Sequence, residues 1–307
     1  MFRFEALANI ALATKSELRA IKYNGIYYLG TVSRGKFTSY PLLDTVVSTK
    51  EIDNNIILVE NLSDFKVLEF RTTERIALSG AICEITNKCN YCIDVSKSFE
   101  NYLKSLKSKR RSQLLNIKSG YAFETIKNID LINIINFYRI YLTNIRRLYS
   151  LPLSLDFFKK LLSSSSQSLV IHNVYFNGKL AAASIVAKND ISAHLLFASS
   201  LKISNENLFL YREMIKFYSD DPFVKNFYLG RSTKDSNNDS FKMHIGALQY
   251  PISKYYFHNG KQKTKRRGYL NFLGNLRFSP FFQNIYHLIP NFLLVLIGRF
   301  IYKMTPL

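Results

Sequence analysis

The sequence predicts an α+β (α/β) fold in which a mixed sheet is covered by helices. Strand-like and helix-like segments alternate along the 307 residues, as in proteins that combine both kinds of element. The dipeptide Asn177-Gly178 separates two apolar runs, which is a strong signal for a β-hairpin. With 47% apolar and 14% aromatic residues, the chain can bury a large core, and this composition excludes a disordered protein.

The first 120 residues are predicted to form strands followed by one helix. β-branched and aromatic residues, which are typical of strands, are concentrated at 25–32, 56–59, 76–82 and 89–95. The helix is predicted from Phe99 to about Gly120, with Ser96 or Ser98 as its N-cap. Its middle carries the basic residues Lys104, Lys107, Lys109, Arg110 and Arg111.

The second half has a clearer order of elements: strand, helix, helix, strand, strand, strand, helix, strand, short helix, strand. Asp130 and Asn205 are predicted N-caps of two of these helices. The predicted strands are residues 121–127, 169–176, 180–187, 192–199, 226–229 and 250–257, and the predicted helices are 131–149, 156–163, 205–218 and 240–246. This order is typical of an acyltransferase fold, although several α+β folds share parts of it.

The charge of the chain predicts an anionic partner. There are 42 Lys and Arg against 22 Asp and Glu, a formal net charge of +20. All acidic residues lie at or before Asp239, whereas residues 240–307 hold ten Lys and Arg and no acid. A strongly basic tail on a less basic remainder of the chain favours docking to an anionic membrane surface over general nucleic-acid binding.

The C-terminal tail is the only membrane candidate in the sequence. Residues 278–298 are uncharged, but they include two prolines and several amide side chains, which suit a hydrocarbon core poorly. Together with the basic run at 261–267, the tail is predicted to lie on a membrane surface. A membrane span and a terminal helix packed on the body remain the alternatives. No signal peptide is predicted at the N-terminus.

The three cysteines, Cys83, Cys89 and Cys92, do not form a complete metal site in the sequence. Cys89 and Cys92 have the spacing of half a zinc site, but a second Cys or His pair is needed, and Cys83 does not supply it. An odd, low count also argues against a disulfide framework and fits a reducing compartment. We therefore expect buried or incidental thiols and no metal.

Short motifs in the second half resemble the Fem-type (FemAB-like) transferase family of the GNAT acyltransferase superfamily. They are Gly230-Arg231-Ser232, Phe241-Lys242, Gly246-Ala247, the lysine-rich run 107–120 before a glycine and a strand, and the hairpin that enters 178–183. Ile245 stands where the commoner pattern has tryptophan. The resemblance covers most of residues 90–307. It implies tandem GNAT-like units: a shortened one at 1–105, a complete one at 106–259, and a basic tail at 260–307.

The resemblance also implies a function. Such a protein is expected to move an aminoacyl or acyl group onto an amine or hydroxyl of a cell-envelope polysaccharide or lipid-linked, peptidoglycan-type precursor, at the cytoplasmic face of the membrane. The implied donor is aminoacyl-tRNA or acyl-CoA, with no tightly bound cofactor. GNAT enzymes cradle the coenzyme A pyrophosphate in a glycine-rich loop, whereas the corresponding loop 198–206 has no glycine, which argues against acetyl-CoA.

Two other functions stay open at this point. One is a GNAT N-acetyltransferase that uses acetyl-CoA on a nucleotide-linked amino sugar. The other is a non-catalytic protein that binds membrane or precursor through its basic tail. A nucleic-acid-binding module is disfavoured because no recognised module is present.

Acyl transfer needs a deprotonated nucleophile and stabilisation of a tetrahedral oxyanion, and these needs select the candidate residues. Lys242 is the first catalytic candidate because it occupies the matched Phe-Lys motif, and Arg231 and His244 are the others. The expected substrate-binding residues are Phe241, Ser232, Gly230, Lys109, Arg110 and Arg111. For each charged candidate the alternative is a structural or solvated role.

Overall fold

The structure is a computed structural model that describes residues 17–23, 26–33, 36–39, 46–47, 57–59, 67–72, 82–117, 119–162, 169–188, 190–258, 283 and 286–304. The strands of these residues form one mixed sheet. They are β1 (Glu17–Tyr23), β2 (Ile26–Ser33), β3 (Lys36–Ser39), β4 (Val46–Val47), β5 (Ile57–Val59), β6 (Val67–Thr72), β7 (Ile82–Asp94), β8 (Tyr121–Ile126), β9 (Leu169–Phe176), β10 (Lys179–Lys188), β11 (Ser192–Ser200), β12 (Asn226–Thr233) and β13 (Leu248–His258).

Helices cover both faces of the second half of this sheet. They are α1 (Phe99–Ser105), α2 (Ser108–Leu115), α3 (Leu131–Arg147), α4 (Leu155–Leu162), α5 (Glu206–Ser219), α6 (Asn237–His244) and α7 (Asn291–Met304). Between β8 and β13, the predicted order of strands and helices is confirmed. The predicted caps Ser98 and Asp130 accept hydrogen bonds from backbone N–H groups of α1 and α3.

The strand order along the sheet is β5-β1-β2-β3-β6-β13-β7-β12-β11-β10-β9-β8, and β4 pairs with β2. From β8 to β11 the neighbours are antiparallel. β11 and β12 are parallel, and their paired residues run from Ser192 opposite Asn226 to His194 opposite Tyr228. The ladder between β11 and β12 stops there, while β12 stays paired with β7 from Asn226 to Thr233, so the two parallel strands are no longer hydrogen-bonded to each other towards their carboxyl ends.

Several predicted boundaries are wrong, including the start of the strand predicted at 89–95, which begins at Ile82. The helix expected from Phe99 to about Gly120 is two helices, because Leu106 adopts an extended backbone and packs into the core. The strand expected at 226–229 continues to Thr233, because its later residues pair with β7. The short helix begins at Asn237, since the hydroxyl of Ser236 caps it. The predicted strand at 76–82 lies outside the described residues except for Ile82, which begins β7.

Two apolar clusters cover the opposite faces of the sheet. One lies between the sheet and helices α1 and α5, with Tyr91, Met214 and Phe227 among its buried members. The other lies between the sheet and helices α3 and α4, with Phe137 and Phe158 at its centre. Burial on both faces explains why β9, β10 and β11 are nearly continuous apolar runs.

The predicted division into units at 1–105, 106–259 and 260–307 stays a prediction. β13 forms hydrogen-bonded ladders with both β6 and β7, so the strands described in the first part of the chain belong to the same sheet as the second part. In the tail, α7 packs one side against the end of α3 through Arg146. None of the helices in the described residues is both long enough and apolar enough to cross a bilayer.

Candidate active site

An open cleft lies where β11 and β12 end. Residues that follow β11 line one side, residues of α6 that follow β12 line another, and α2 supplies the third. Its volume is about 1150 Å³. In sheets with parallel strands, ligands bind outside the carboxyl ends of strands that diverge, and this cleft occupies such a position.

A β-bulge in β12 shapes the end of this strand beside the cleft. The pairing of β12 with β7 shifts register between Tyr228 and Arg231. Gly230 has a φ of +70°, and a Cβ atom there would lie 3.3 Å from the backbone oxygen of Leu195 on β11. Glycine is therefore favoured at this position by its backbone conformation, as expected for a bulge residue. The bulge directs the carbonyls of Gly230 and Arg231 towards α6.

Lys242 extends from α6 into this bulge. Its Nζ donates hydrogen bonds to the carbonyl oxygens of Gly230 at 3.0 Å and Arg231 at 3.3 Å. It also lies 4.9 Å from the ring centre of Tyr91. The side chain is buried, with only 2% of the residue exposed. The pKa of Lys242 is lowered to about 7: burial is the main cause, Asp239 acts against it, and Arg231 adds to the lowering.

Asp239 organises the segment between β12 and α6. One carboxylate oxygen accepts a hydrogen bond from the Tyr91 hydroxyl at 2.6 Å, and the other accepts one from the backbone N–H of Asp235 at 2.6 Å. The amide of Gln249 donates to the Tyr91 hydroxyl at 3.0 Å and to Asp239 at 3.3 Å. The hydrogen bond from Tyr91 is the main cause of the lowered pKa of Asp239. Asp239 therefore stays ionised beside Lys242.

Phe241 and His244 lie on the cleft side of α6, whereas Lys242 points into the bulge. Two residues apart on a helix is more than half a turn, so Lys242 and His244 face different directions. His244 is exposed, and its Nε2 lies 2.8 Å from the side-chain oxygen of Gln113 on α2. Phe241 contacts Tyr211 edge-on at 5.0 Å. The structure therefore separates two of the three predicted catalytic candidates.

The other predicted residues are divided between the cleft and the framework. Lys109 lines the cleft, but Arg110 donates to the carbonyl of Met243 at the end of α6, and Arg111 is not among the cleft residues. Arg231 is exposed on β12. Ser232 is buried, and in the described part of the chain its hydroxyl has no hydrogen-bond partner.

The loop between β11 and α5 is closed by Glu206, a residue that the sequence analysis did not select. The buried Glu206 carboxylate accepts hydrogen bonds from the backbone N–H groups of Ile203 at 3.0 Å and Ser204 at 2.7 Å. The next N–H, that of Asn205, donates to the Tyr121 hydroxyl at 2.9 Å. Three successive amides of this loop are thus already bonded within the protein. The sequence signal was only an acid in the first turn of a helix, which is common.

Tyr91 and Gln249 were also missed, because they come from β7 and β13 and meet α6 only in the folded sheet. Cys89 and Cys92, on either side of Tyr91, are buried and form no disulfide in the described part of the chain, and burial raises the pKa of Cys89. Within the described residues, no group of His, Cys, Asp or Glu is arranged to hold a metal ion. The side chain of Cys83 lies outside what the structure describes.

Comparison with known proteins supports the fold. No protein-family model matches the sequence, and no curated protein matches it. Among solved structures, the chain is similar to FemX, with a TM-score of 0.58, 10% identity, and coverage of 82% of this chain and 90% of that chain. It is similar to L-PGS from Bacillus licheniformis, with a TM-score of 0.57, 11% identity, and coverage of 83% and 88%. It also resembles a conserved protein of unknown function from Bacteroides thetaiotaomicron, with a TM-score of 0.56, 9% identity, and coverage of 84% and 90%. The chain therefore has an α+β fold similar to that of FemX, as the sequence predicted.

Proposed function

We propose that the protein is an acyltransferase that moves an aminoacyl or acyl group onto an amine or hydroxyl of a cell-envelope polysaccharide or lipid-linked precursor. The likeness to FemX and L-PGS supports a transferase at the level of the fold. The observation that carries the proposal is Lys242, a buried lysine with a lowered pKa held at the bulge of β12. The complete GNAT-like unit at 106–259 would perform the reaction.

The geometry of Lys242 suits proton transfer during acyl transfer. A lysine ammonium has three N–H donors, and two of them are occupied by the carbonyls of Gly230 and Arg231. With a pKa of about 7, Lys242 is neutral in a large share of the protein molecules at neutral pH. In the neutral amine a lone pair replaces the third N–H. Lys242 does not line the cleft, so the attacking group would reach it at the bulge, beside Arg231 and Ser232. The neutral amine would then accept the proton of the attacking amine or hydroxyl as the new C–N or C–O bond forms. The resulting ammonium returns the proton to the leaving oxygen or sulfur as the old acyl bond breaks.

Arg231 and Ser232 follow Gly230 on β12 and complete this region of the proposed site. The buried Ser232 hydroxyl has a hydrogen-bonding capacity that the described residues do not use, and a substrate polar group would satisfy it. The Arg231 guanidinium suits a carboxylate or phosphate of the substrate. On the cleft side, Phe241, His244 and Lys109 would contact the donor or acceptor. Arg110 would hold the end of α6 in place, and Arg111 would add positive charge near the cleft.

The closed loop after β11 supports a donor other than acyl-CoA. Backbone N–H groups at this loop are the groups that a coenzyme A pyrophosphate would use. Here Ile203 and Ser204 give theirs to Glu206, whose negative charge would also repel a pyrophosphate. Aminoacyl-tRNA is the donor that fits best, with Lys109 and Lys202 of the cleft available for its phosphates. The basic tail would hold the protein at the inner face of the membrane, near a lipid-linked acceptor.

The experiment is a transfer assay with a mixed pool of radiolabelled aminoacyl-tRNA and membranes as the acceptor source. We expect label to enter lipid-extractable or polymer material with the wild-type protein and to be lost with Lys242→Met. Lys216→Ala, which removes an exposed lysine of α5, is the control and should keep full activity. In parallel, acetyl-CoA should leave the thermal midpoint unchanged. Clear stabilisation by acetyl-CoA would support the N-acetyltransferase instead. Full activity of Lys242→Met would remove Lys242 from the chemistry, and no transfer by the wild-type protein would support a non-catalytic protein.

A further inference from the structure

The terminal helix α7 exposes an apolar face. Its residues Phe292, Leu293, Leu296 and Ile297, here called the outer face, are all exposed, and 64% of Phe292 is accessible to solvent. Leu288, just before the helix, is more exposed still. Large apolar side chains that lie side by side on a surface mark a contact site, whereas single exposed ones do not.

The opposite side of α7 is fixed to the body of the protein. Arg146, at the end of α3, donates hydrogen bonds to the side chain of Asn291 at 2.5 Å and to the carbonyl oxygens of His287 at 2.6 Å and Ile289 at 3.1 Å. The buried Tyr286 donates to the carbonyl of Ser150 at 2.5 Å. The outer face therefore points away from the body because of specific contacts on the other side of the helix.

Close packing further along α7 continues this attachment. Leu294 is buried, and a Cβ atom on Gly298 would lie 2.4 Å from the carbonyl oxygen of Pro152. Arg299 lies close enough to Tyr138 of α3 to oppose the effect of burial, which raises the pKa of that phenol. Contacts thus run from the first turn of α7 to its third turn, so α7 is a part of the body and not a free tail.

The charge of this part of the chain identifies the occupant of the outer face. Residues 240–307 hold ten Lys and Arg and no acid, and five of the ten lie at 261–267, before α7. Arg299 is exposed on α7 itself. Covering the outer face with a second copy of the chain would bring two such basic segments together, whereas anionic lipid headgroups would neutralise them. Apolar residues beside basic ones are typical of helices that lie in a membrane interface.

We propose that the outer face of α7 inserts into the surface of an anionic lipid bilayer, while Arg146, Tyr286 and Gly298 keep the helix attached to the body. The docking site is then built onto α3, so the catalytic unit and the membrane contact move together. This inference develops the membrane location in the proposed function, but it does not depend on the transfer chemistry.

The test uses a single tryptophan, because the chain contains none. Phe292→Trp places the only tryptophan on the outer face. Phe223→Trp is the matched control, because Phe223 is also an exposed phenylalanine, with 70% of its surface accessible, and lies in the loop after α5. Each full-length variant is mixed with phosphatidylcholine vesicles that contain or lack phosphatidylglycerol.

With phosphatidylglycerol present, we expect the emission of Phe292→Trp to shift to shorter wavelength and to be quenched by brominated acyl chains. The control should show neither effect. No shift, or an equal shift in the control, would overturn the proposal. A shift without vesicles that grows with protein concentration would also overturn it and assign the outer face to a second copy of the chain.

A vesicle sedimentation assay provides a second test without tryptophan. Leu296→Asp should lower the fraction bound to anionic vesicles at least tenfold, since it places a charge on the outer face, while Phe223→Asp should bind as the wild type does. Both changes are at exposed positions, so equal thermal midpoints would show that the fold is kept. If Leu296→Asp loses vesicle binding but still transfers the group to a detergent-solubilised acceptor, the membrane contact is supported separately from the transfer reaction. Unchanged vesicle binding of Leu296→Asp would contradict the inference.

Discussion

The two parallel strands at the candidate active site end in similar ways but prepare different chemistry. After β11, the buried carboxylate of Glu206 accepts hydrogen bonds from Ile203 and Ser204. After β12, the buried carboxylate of Asp239 accepts hydrogen bonds from Asp235 and Tyr91. The difference is Lys242, which lies buried beside Asp239 and contacts the β12 bulge.

The ends of β11 and β12 differ in whether they can bind an anion or transfer a proton. A strand end whose backbone amides are free can hold a pyrophosphate, but after β11 the amides of Ile203, Ser204 and Asn205 are already bonded. A strand end with a buried lysine of lowered pKa can move a proton, and that is the arrangement after β12. The proposed reaction therefore centres on β12, and the donor is expected to bind without the β11 loop amides.

The largest expected effect is the loss of activity in Lys242→Met. Removing a group that acts at the reacting atoms typically costs about 2.7–4 kcal/mol of transition-state stabilisation, or roughly 10²- to 10³-fold in rate. The change keeps most of the apolar stem, so thermal unfolding should still be cooperative. The measurement is the transfer rate from labelled aminoacyl-tRNA, with Lys216→Ala as control. A rate within twofold of wild type in a folded Lys242→Met protein would remove Lys242 from the chemistry.

A smaller effect is expected for Glu206→Ala, which opens the β11 end. Two loop N–H groups lose the buried, charged acceptor that they share, so the free energy of unfolding should fall by about 2–3 kcal/mol. Denaturant unfolding provides the measurement. Glu213→Ala, on the same helix, removes a carboxylate that bonds only its neighbour Arg212 among the described contacts, and it should cost less, at most about 1 kcal/mol. Equal losses in the two variants would show that Glu206 does not close the loop.

Two glycine changes test how closely the turn after α6 is packed. Gly246 follows α6 with a φ of +83°, and a Cβ atom there would lie 2.4 Å from the Leu106 side chain. Gly178, in the hairpin turn, has a φ of +77° but no atom within 4 Å of such a Cβ. Gly246→Ala should therefore cost roughly 2 kcal/mol and Gly178→Ala about 1 kcal/mol in unfolding free energy. The reverse order would mean that α1 does not pack against the turn after α6.

The most gradual effect, small for each pH unit, is the dependence of stability on pH. The pKa of Lys242 falls from 10.5 in the unfolded chain to about 7 in the folded protein. Between these values the unfolded chain binds more protons, so raising the pH stabilises the folded state, and below the lower value the full cost of burying the charge applies. Relative to Lys242→Met, the wild type should gain roughly 1 kcal/mol per pH unit above neutral pH. Parallel stability curves for the two proteins would contradict the lowered pKa.

The parts of the fold that depend on local chemistry could be predicted from the sequence. Asn177 and Gly178 have φ values of 50° and 77°, as a tight hairpin turn requires, and the Asp130 cap forms as expected. The break at Leu106 could not be predicted, because it depends on packing against the distant Gly246. Likewise the alternation of polar and apolar residues in β1 is broken between Ala20 and Ile21, and pairing with β2 along the whole of Glu17–Tyr23 holds the strand together.

The candidate site was predictable only in part, for the same reason. The Phe-Lys motif identifies Lys242, but its burial comes from Tyr91 on β7 and from the carbonyls of the β12 bulge. The absence of glycine after β11 led us to expect a donor other than acetyl-CoA. The sequence did not indicate that the Glu206 carboxylate occupies the loop amides of Ile203 and Ser204. Residues that meet across the sheet leave no periodic signal in the chain.

The most direct test of the central claim is the titration of Lys242 by NMR. Protein labelled with ¹³C at the lysine Cε carbons would be followed over a wide pH range, with the Lys242 signal assigned by its loss in Lys242→Arg. We expect a midpoint near 7 for this one lysine. A midpoint near the ordinary lysine value of 10.5 would contradict the assignment of Lys242 as the group that moves the proton.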